Sequence, residues 1–396
     1  MTQRPFRICL ILHSTRSDNL GVGALTVSEV EIIRDIARDI GRDIHITAMD
    51  WKDARDSYVT GPDVTVRDLD GKVMLNPRGF FLIARHADLM IDIGGGDSFT
   101  DIYGGRRLRR TFILKYLTHL AGTPMVLAPQ TVGPFSKGWA KLLARISMRL
   151  SRVVASRDRM STEAAHDLGC DDVIEACDVA MRLPYTVPPA RTGGPVKVGI
   201  NVSGLLMGGG YTGKNEFGLQ MDYPALIKDL ITYFQTHEDG CEVHLVPHVI
   251  VRSGPMVGED DFRASQKLHE EFPGTVLAPA FNSPSAAKSY IAGMDFFMGA
   301  RMHACIAAFS SGVPVIPMAY SRKFEGLFGT IGYTRTVDCT SQSADTIRDA
   351  IVQGYASRDT LQRDATDAFE RGREKLKVYE NALRDVITGI IEKKNI

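Results

Sequence analysis

Ile8-Cys-Leu-Ile-Leu12, followed by Asn19-Leu-Gly-Val-Gly23, is the stretch that decides the fold class. Five consecutive apolar residues are typical of a parallel strand that is buried on both faces. The glycine-containing segment interrupts the chain, and a helix with one apolar face follows it. The apolar residues of that face are Val30, Ile33, Ala37 and Ile40. Gly41 ends the helix and Ile44–Met49 is the next strand, so the chain begins as a strand–loop–helix–strand unit.

The same alternation of strands and helices continues through the chain. Further strands are predicted at Asp88–Ile93, Pro124–Ala128, Val153–Ser156, Val196–Val202, Glu242–Pro247, Asp295–Gly299 and Val313–Met318. Helices are predicted after the basic run Arg106–Arg110 and at Tyr223–Thr236, Pro284–Gly293 and Met302–Ser311. Repeated β–loop–α order predicts parallel sheets with helices on both faces.

A cluster of prolines and glycines at 184–196 interrupts this alternation and predicts a boundary between two domains. We therefore expect an N-terminal domain at 1–185, a linker at 186–196, a C-terminal domain at 197–358 and a C-terminal helix at 359–396. The expected fold class is α/β: two doubly wound Rossmann-like domains, similar to glycosyltransferase-B enzymes, with a C-terminal helical tail.

Bulk composition favours an ordinary globular enzyme. The 396 residues are 44% hydrophobic and 24% charged, and 47 basic residues balance 47 acidic ones. A zero net charge argues against a nucleic-acid-binding protein. The six cysteines lack C-x-x-C spacing, and the apolar run that starts at Ile8 is too short for a signal peptide. We expect a cytoplasmic protein with no transmembrane helix.

One short segment, Gly299-Ala-Arg-Met-His-Ala304, resembles the Arg-x-His element of the polysaccharide pyruvyl transferase family. Other segments resemble family positions in the right order: Asn19 to Gly23, Gly94 to Asp97, Ser156 to Asp158, Asn201 to Leu205, Gly312 to Pro314, and Tyr320 to Gly326. The resemblance spans about Ile8 to Gly332. It implies an enzyme that transfers a pyruvyl group from phosphoenolpyruvate to a glycan or a lipid-linked oligosaccharide as a ketal, in cell-surface or exopolysaccharide biosynthesis.

The resemblance also implies the partners of this chain. Phosphoenolpyruvate is the co-substrate, and we expect no other cofactor and no metal. The acceptor is a glycan or lipid-linked saccharide, so we expect the cytoplasmic protein to work at the inner face of the membrane, where it can associate peripherally. Homo-oligomerisation is left open.

The donor site needs fixed cations, because phosphoenolpyruvate carries about three negative charges on a small body. Arg157 and Arg301 each follow a predicted strand and precede a helix, where anions bind in α/β sheets. An ordinary surface arginine or a helix-end salt bridge is the alternative for each. We expect replacement of either one to weaken donor binding with little effect on the fold.

The proton that pyruvyl transfer requires is assigned to His303, two residues after Arg301, since histidine can donate a proton near neutral pH. A helix-start histidine bonded to the backbone is the alternative. His248 ends another predicted strand and Lys323 could bind the phosphate, which completes the expected donor site. For His248, a solvated loop position is equally compatible with the sequence.

The acceptor is expected to contact Asn19, Gly95, Gly96 and Asp97. The glycines follow a strand, so their backbone can approach a ligand closely. Tight turns explain the glycines equally well, and Asp97 could instead cap the next helix. The run Arg106–Arg110 could attract anionic lipid-linked glycans, or it could be a solvated helix start.

Two other classes of function are compatible with this sequence. A glycosyltransferase that uses a nucleotide sugar would share the architecture, and Glu325 is the only evident acidic residue for gripping a ribose. A non-catalytic glycan- or anion-binding protein would keep the fold without the chemistry.

Overall fold

The computed structural model describes residues 4–189, 193–238, 240–252 and 258–395, and the chain divides into two compact units. Unit 1 is built from the described residues of Met1–Ser17, Leu25–Arg182 and Gly372–Ile396. Unit 2 is built from those of Asp18–Ala24 and Leu183–Arg371. Helices α1 (Leu20–Asp39) and α14 (Arg358–Lys394) each contribute residues to both units.

Unit 1 contains a seven-stranded, wholly parallel sheet. Its strands are β1 (Phe6–Ile11), β2 (Ile44–Trp51), β3 (Val64–Leu69), β4 (Leu89–Asp92), β5 (Met125–Gln130), β6 (Val153–Ser156) and β7 (Val173–Glu175). Its other helices are α2 (Gly71–Leu75), α3 (Leu82–His86), α4 (Gly105–Leu120), α5 (Gly138–Leu150) and α6 (Arg159–Asp167). The strand order β3-β2-β1-β4-β5-β6-β7 is doubly wound. The chain adds strands on one side of β1 as far as β3 and then on the other side from β4 onward, so the strand order reverses between β1 and β4.

Unit 2 repeats this plan with six parallel strands in the order β10-β9-β8-β11-β12-β13. These are β8 (Lys197–Asn201), β9 (Glu242–Leu245), β10 (Val276–Leu277), β11 (Phe296–Gly299), β12 (Val315–Ala319) and β13 (Val337–Asp338). Its helices are α7 (Gly204–Met207), α8 (Tyr223–Gln235), α9 (Asp261–Glu271), α10 (Pro284–Ile291), α11 (Met302–Phe309), α12 (Arg322–Phe324) and α13 (Ala344–Ala356). The reversal lies between β8 and β11, and the fold class predicted from the sequence is confirmed.

The central strands are apolar because helices cover both faces of each sheet. Cys9, Leu10 and Ile11 of β1 are all buried, as are the four residues of β11. Residues that follow these strands are therefore held at the carboxyl edge of a rigid sheet, where α/β proteins bind ligands.

The division of the chain differs from the predicted boundaries in three respects. It falls between Arg182 and Leu183, before the predicted linker, of which 190–192 lie outside the described residues. Residues 18–24 belong to unit 2. The C-terminal helix is not a separate tail, because Arg371 bonds to the carbonyl of Ile331 in unit 2 whereas Tyr379 bonds to the buried Glu29 in unit 1.

The start of α4 also corrects the sequence prediction. The basic run Arg106–Arg110 lies inside α4, which begins at Gly105, and not before it. Among the described residues, no helix is long and apolar enough to cross a membrane.

Candidate functional site

Asn201 and Arg301 lie together at the carboxyl edge of the unit 2 sheet, where the strand order reverses between β8 and β11. Asn201 ends β8 and pairs with Gly299 of β11, and its side-chain oxygen accepts a hydrogen bond from the backbone N–H of Arg301 at 2.8 Å. A Cβ atom on Gly299 would lie 2.6 Å from that of Asn201, so only glycine allows this approach. Asn201, which the resemblance includes but the predicted site does not, fixes the turn that carries Arg301.

Arg301 is buried and its guanidinium is fixed from one side. Nε and Nη2 donate to the carboxylate of Asp261 at 2.8–3.2 Å, and Nη2 also donates to the carbonyl of Glu259 at 2.9 Å. Burial by itself lowers the pKa of Arg301, but the charge of Asp261, its hydrogen bonds to the guanidinium and smaller contributions from neighbouring residues together outweigh burial and raise that pKa. Nη1 makes no hydrogen bond within the described part of the chain, so its two N–H groups are the ones that can donate to an anion.

Asp261 connects three loops of unit 2. Besides Arg301, it accepts hydrogen bonds from the backbone N–H groups of Gly204, His248 and Val249 at 2.8, 3.2 and 2.9 Å. The amide of Gly204 belongs to the first residue of α7, which follows β8, the other two amides belong to the loop after β9, and Asp261 itself begins α9. A Cβ atom on Gly204 would lie 2.5 Å from the backbone of Asp260. The sequence places Asp261 near His248 but gives no sign of this connecting role.

His303 lies in the first turn of α11, half-buried, against the first turn of α1. A Cβ atom on Gly21 would come within 2.5 Å of Nδ1 of the imidazole, so the absence of a side chain at Gly21 makes room for the ring. Asn19 caps this turn, because its side-chain oxygen accepts from the N–H of Gly21 at 3.0 Å. Asn19, predicted on the acceptor side, thus belongs to the same unit as Arg301 and His303.

His248 is buried beside these groups. Burial, with smaller contributions from the neighbouring His303 and Arg301, lowers its pKa to about 3. It is therefore neutral at physiological pH and can take part in hydrogen bonds, but it cannot serve as a cationic phosphate ligand or as a proton donor. Its carbonyl accepts from the N–H of Leu20 at 3.1 Å, which ties the start of α1 to the loop after β9.

Lys323 is half-buried on the short helix α12, three residues after Tyr320. The Tyr320 ring packs on Phe217 and Phe324, with ring centroids 5.0 and 5.8 Å apart. Tyr320 also lies close enough to Arg301 to influence its pKa, so this loop borders the arginine. Glu325, the residue considered for a ribose, is exposed.

In unit 1, the glycine turn follows β4 at the reversal of that sheet. Gly94, Gly95 and Gly96 all have positive φ, at 55°, 56° and 84°. Their three N–H groups are already used: they donate to Asp92 Oδ1, to the carbonyl of Leu12 and to the carbonyl of Ile93. The turn therefore cannot hold an acceptor or an anion through these amides, and the conformation itself is what requires glycine.

Arg157 is almost wholly buried beneath this turn. Its Nη1 donates to Asp178 at 3.0 Å and would lie 3.4 Å from a Cβ atom on Gly96. A salt bridge, which was one alternative for this arginine, is therefore present, and both of its side chains are buried. Nη2 of Arg157 makes no hydrogen bond to a described residue. Arg157 belongs to unit 1 and Arg301 to unit 2.

The side chain of Asp97 does not cap α4, the next helix, whose N-cap residue is Gly104. Instead it accepts a hydrogen bond from the Tyr103 hydroxyl at 2.7 Å. Arg107 lies over the Tyr103 ring at 4.8 Å and donates to the hydroxyl of Ser98. Burial and the charge of Asp97 raise the pKa of Tyr103. A hydroxyl, a carboxylate and a guanidinium thus lie beside the glycine turn, and sequence reasoning missed Tyr103 and the individual role of Arg107.

His13 is a second residue that the sequence did not single out. It follows β1, is 2% exposed, and neither ring nitrogen has a hydrogen-bond partner in the described ranges. Burial lowers its pKa to about 3, so the ring is neutral. Its position directly after the first strand is the signal that could have found it.

Within the described residues, no three histidine, cysteine, aspartate or glutamate side chains come together as a metal site. The expectation of a metal-free reaction stays a prediction.

Comparison with solved structures supports the fold. The chain is similar to a protein from Listeria monocytogenes that is described as a putative UDP-N-acetylglucosamine 2-epimerase. The TM-score is 0.61 at 10% sequence identity, and the match covers 95% of each chain. It is also similar to the UDP-GlcNAc 2-epimerase of Neisseria meningitidis, with a TM-score of 0.56 at 9% identity, covering 96% of this chain and 99% of the other. For an α,α-trehalose-phosphate synthase from Burkholderia vietnamiensis the TM-score is 0.55 at 10% sequence identity, and the match covers 100% of this chain and 99% of the other. At such identities the likeness shows the fold alone.

Comparison at the level of sequence families is more specific. No curated protein matches the chain. The family model described as polysaccharide pyruvyl transferase matches residues 24–322, which include the glycine turn, Arg157, Asn201, Arg301 and His303. The resemblance noted in the sequence is thereby confirmed: this chain belongs to the polysaccharide pyruvyl transferase family.

Proposed function

We propose that unit 2 binds phosphoenolpyruvate through Arg301 and that His303 protonates it, as the first step of pyruvyl transfer to a glycan. The observation that carries this proposal is the hydrogen bonding of the Arg301 guanidinium. Its Nε and Nη2 are held by Asp261 and Glu259, while Nη1 has no partner in the described part of the chain. An arginine held in this way is oriented before the ligand arrives, so little rotamer entropy is lost on binding.

The proposed reaction is the one that membership of the pyruvyl transferase family implies, with the steps assigned to these groups. His303 gives a proton to the methylene carbon of phosphoenolpyruvate, which leaves an oxocarbenium-like carbon. One acceptor hydroxyl adds to this carbon and loses its proton, and the phosphate leaves. A second hydroxyl of the same acceptor then adds and loses its proton, which closes the ketal. Arg301 stabilises the negative charge of the donor, for which Lys323 supplies a second cation.

We assign the acceptor to unit 1. The group formed by Asp97, Tyr103 and Arg107 beside the glycine turn offers both acceptors and donors to sugar hydroxyls. The glycine turn itself supplies shape, because its three amides are used internally. In this proposal the acceptor is a glycan or lipid-linked oligosaccharide of a cell-surface or exopolysaccharide pathway, reached from the cytoplasm.

Replacing Arg301 by lysine should weaken phosphoenolpyruvate binding without unfolding the protein. Lysine keeps the buried charge beside Asp261 but removes the planar fork that carries Nη1. We expect a roughly ten- to hundred-fold lower affinity by isothermal titration calorimetry. Arg335→Lys is the matched control, since Arg335 is an exposed arginine of unit 2 that pairs with Asp364. Equal affinities of Arg301→Lys and wild type would exclude Arg301 as a donor ligand.

Removal of divalent metal should leave the activity unchanged, because arginine and lysine meet the donor's charge in this proposal. Phosphate release from phosphoenolpyruvate would be followed with a panel of glycan acceptors before and after EDTA treatment. Activity that is lost with EDTA and restored by Mg²⁺ would show that a metal shares this task.

A glycosyltransferase that uses a nucleotide sugar is the alternative function, and the fold similarity to UDP-sugar enzymes is compatible with it. The same calorimetry with UDP-sugars separates the two, because only one donor class should bind and lose affinity in Arg301→Lys. A non-catalytic glycan-binding protein would release no phosphate with any acceptor.

A further inference from the structure

Acidic residues are absent from one long segment of this chain. Between Ile102 and Arg157 there is no aspartate or glutamate, although the whole chain has zero net charge. Eleven basic residues lie in this segment: Arg106, Arg107, Arg109, Arg110, Lys115, Lys137, Lys141, Arg145, Arg149, Arg152 and Arg157. Lys115 and Arg157 are buried and paired with Asp92 and Asp178. The other nine are exposed, and none forms a salt bridge with a described residue.

Helix α5 lies within this segment and has an unusual outer surface. Its inner face is buried through small side chains and one methionine, which are Ala140, Ala144, Ser147 and Met148. At spacings of three and four residues, four large apolar side chains form a stripe on its outer surface: Trp139, Leu142, Ile146 and Leu150, which are 40, 58, 37 and 53% exposed. A parallel row of cations, Lys141, Arg145 and Arg149, lies on the same outer surface. We call these seven residues the α5 surface.

From this surface we infer that unit 1 binds the face of a lipid bilayer that contains anionic lipids, with α5 lying in the plane of the interface. The apolar stripe enters the boundary between headgroups and acyl chains, and the basic row contacts the negative headgroups. Trp139 is suited to that depth, since its ring is apolar and its N–H can still reach water or headgroups. The further exposed arginines of α4 add to the same positive charge.

Two other occupants fit the α5 surface less well. A second copy would normally pack through the same patch on both chains, which would bring two rows of cations together without an intervening carboxylate. A nucleic acid would satisfy the cations but leave the apolar stripe in water, because phosphate contacts are polar. A bilayer with anionic lipids satisfies both rows at once.

The test uses the whole protein and extruded vesicles, and it needs no enzymatic activity. The protein would be sedimented with vesicles of phosphatidylcholine alone or with about a third phosphatidylglycerol. We expect binding to the anionic vesicles that weakens at high salt. The chain has two tryptophans, so in Trp51→Phe the emission of Trp139 alone should shift to the blue on binding.

Variants separate the two rows. Each cation near a membrane surface contributes about fivefold in affinity, so the triple change Lys141→Gln, Arg145→Gln, Arg149→Gln should weaken binding to anionic vesicles roughly 100-fold. The double change Leu142→Asp, Ile146→Asp should abolish it and the Trp139 shift. The control is Leu75→Asp with Val378→Asp, two exposed apolar residues of unit 1 outside the segment, which should bind as wild type does.

The inference is overturned if the wild type does not sediment with anionic vesicles, or if the triple and double variants sediment as well as the control. It is also overturned if light scattering shows a dimer that the Leu142→Asp, Ile146→Asp variant loses, because the stripe would then be an interface between copies. Circular dichroism of each variant excludes unfolding as the cause, since all substituted side chains are exposed.

Discussion

Replacement of His303 by glutamine is expected to lower turnover by roughly 10²–10⁴-fold while phosphoenolpyruvate still binds. Glutamine can form hydrogen bonds in the same place, but its amide cannot deliver a proton. Arg301, which is held independently by Asp261 and Glu259, should keep the donor in position. Phosphate release measures turnover, and calorimetry with phosphoenolpyruvate measures binding.

The pH dependence of the wild type gives an independent readout. Its rate should require a protonated group and fall as that group loses its proton, and this limb should be absent from the residual activity of His303→Gln. Burial is the main cause that lowers the pKa of His248 to about 3 in the wild type, so we do not expect this residue to replace the lost donor. A His303→Gln enzyme with most of its turnover intact would rule out the general-acid role.

Gly21→Ala provides a second test of the same position. The added methyl group would overlap the imidazole of His303, so the ring must move although the histidine is still present. We expect turnover to fall as a result, with little change in donor binding. Gly138→Ala is the control, since a Cβ atom at Gly138 meets nothing within 4 Å. Full activity in Gly21→Ala would show that the observed position of His303 is not needed for catalysis.

Replacement of Arg301 by alanine is expected to lower the free energy of unfolding by about 3–5 kcal/mol, because it leaves the carboxylate of Asp261 buried without its charge partner. The sequence alone suggested little effect on the fold, and burial is the reason to revise that expectation. Urea unfolding followed by circular dichroism measures the change. The same argument applies to Arg157 and Asp178 in unit 1.

Arg335→Ala is the control for this measurement. Arg335 and Asp364 form an ion pair in the same unit, but their side chains are 50 and 38% exposed, so the loss should stay within about 1 kcal/mol. If Arg301→Ala were no less stable than this control, the pair with Asp261 would not stabilise unit 2. Arg301 would then be held for binding alone.

Local sequence determined the position of one strand and the starts of several helices. Strand β6 and the starts of α8, α10 and α11 lie where the pattern of apolar residues places them, since a strand covered on both faces must be apolar throughout. The four edge strands β3, β7, β10 and β13 were not predicted. An edge strand is half-solvated and needs no continuous apolar run, so it leaves little signal.

For the candidate site too, some features could be predicted from the sequence and others only from the tertiary structure. The sequence predicted Arg301, His303, His248 and the glycine turn as site residues, from their resemblance to family positions and from their places near the ends of strands, and their roles stay predictions. Only the tertiary structure showed that Asp261 holds Arg301, that Gly21 makes room for His303, and that the glycine amides are already used. These contacts join residues that are 40 or more positions apart or depend on the exact course of a loop. Such pairings are decided by the packing of strands and helices in space, and a linear pattern carries no record of them.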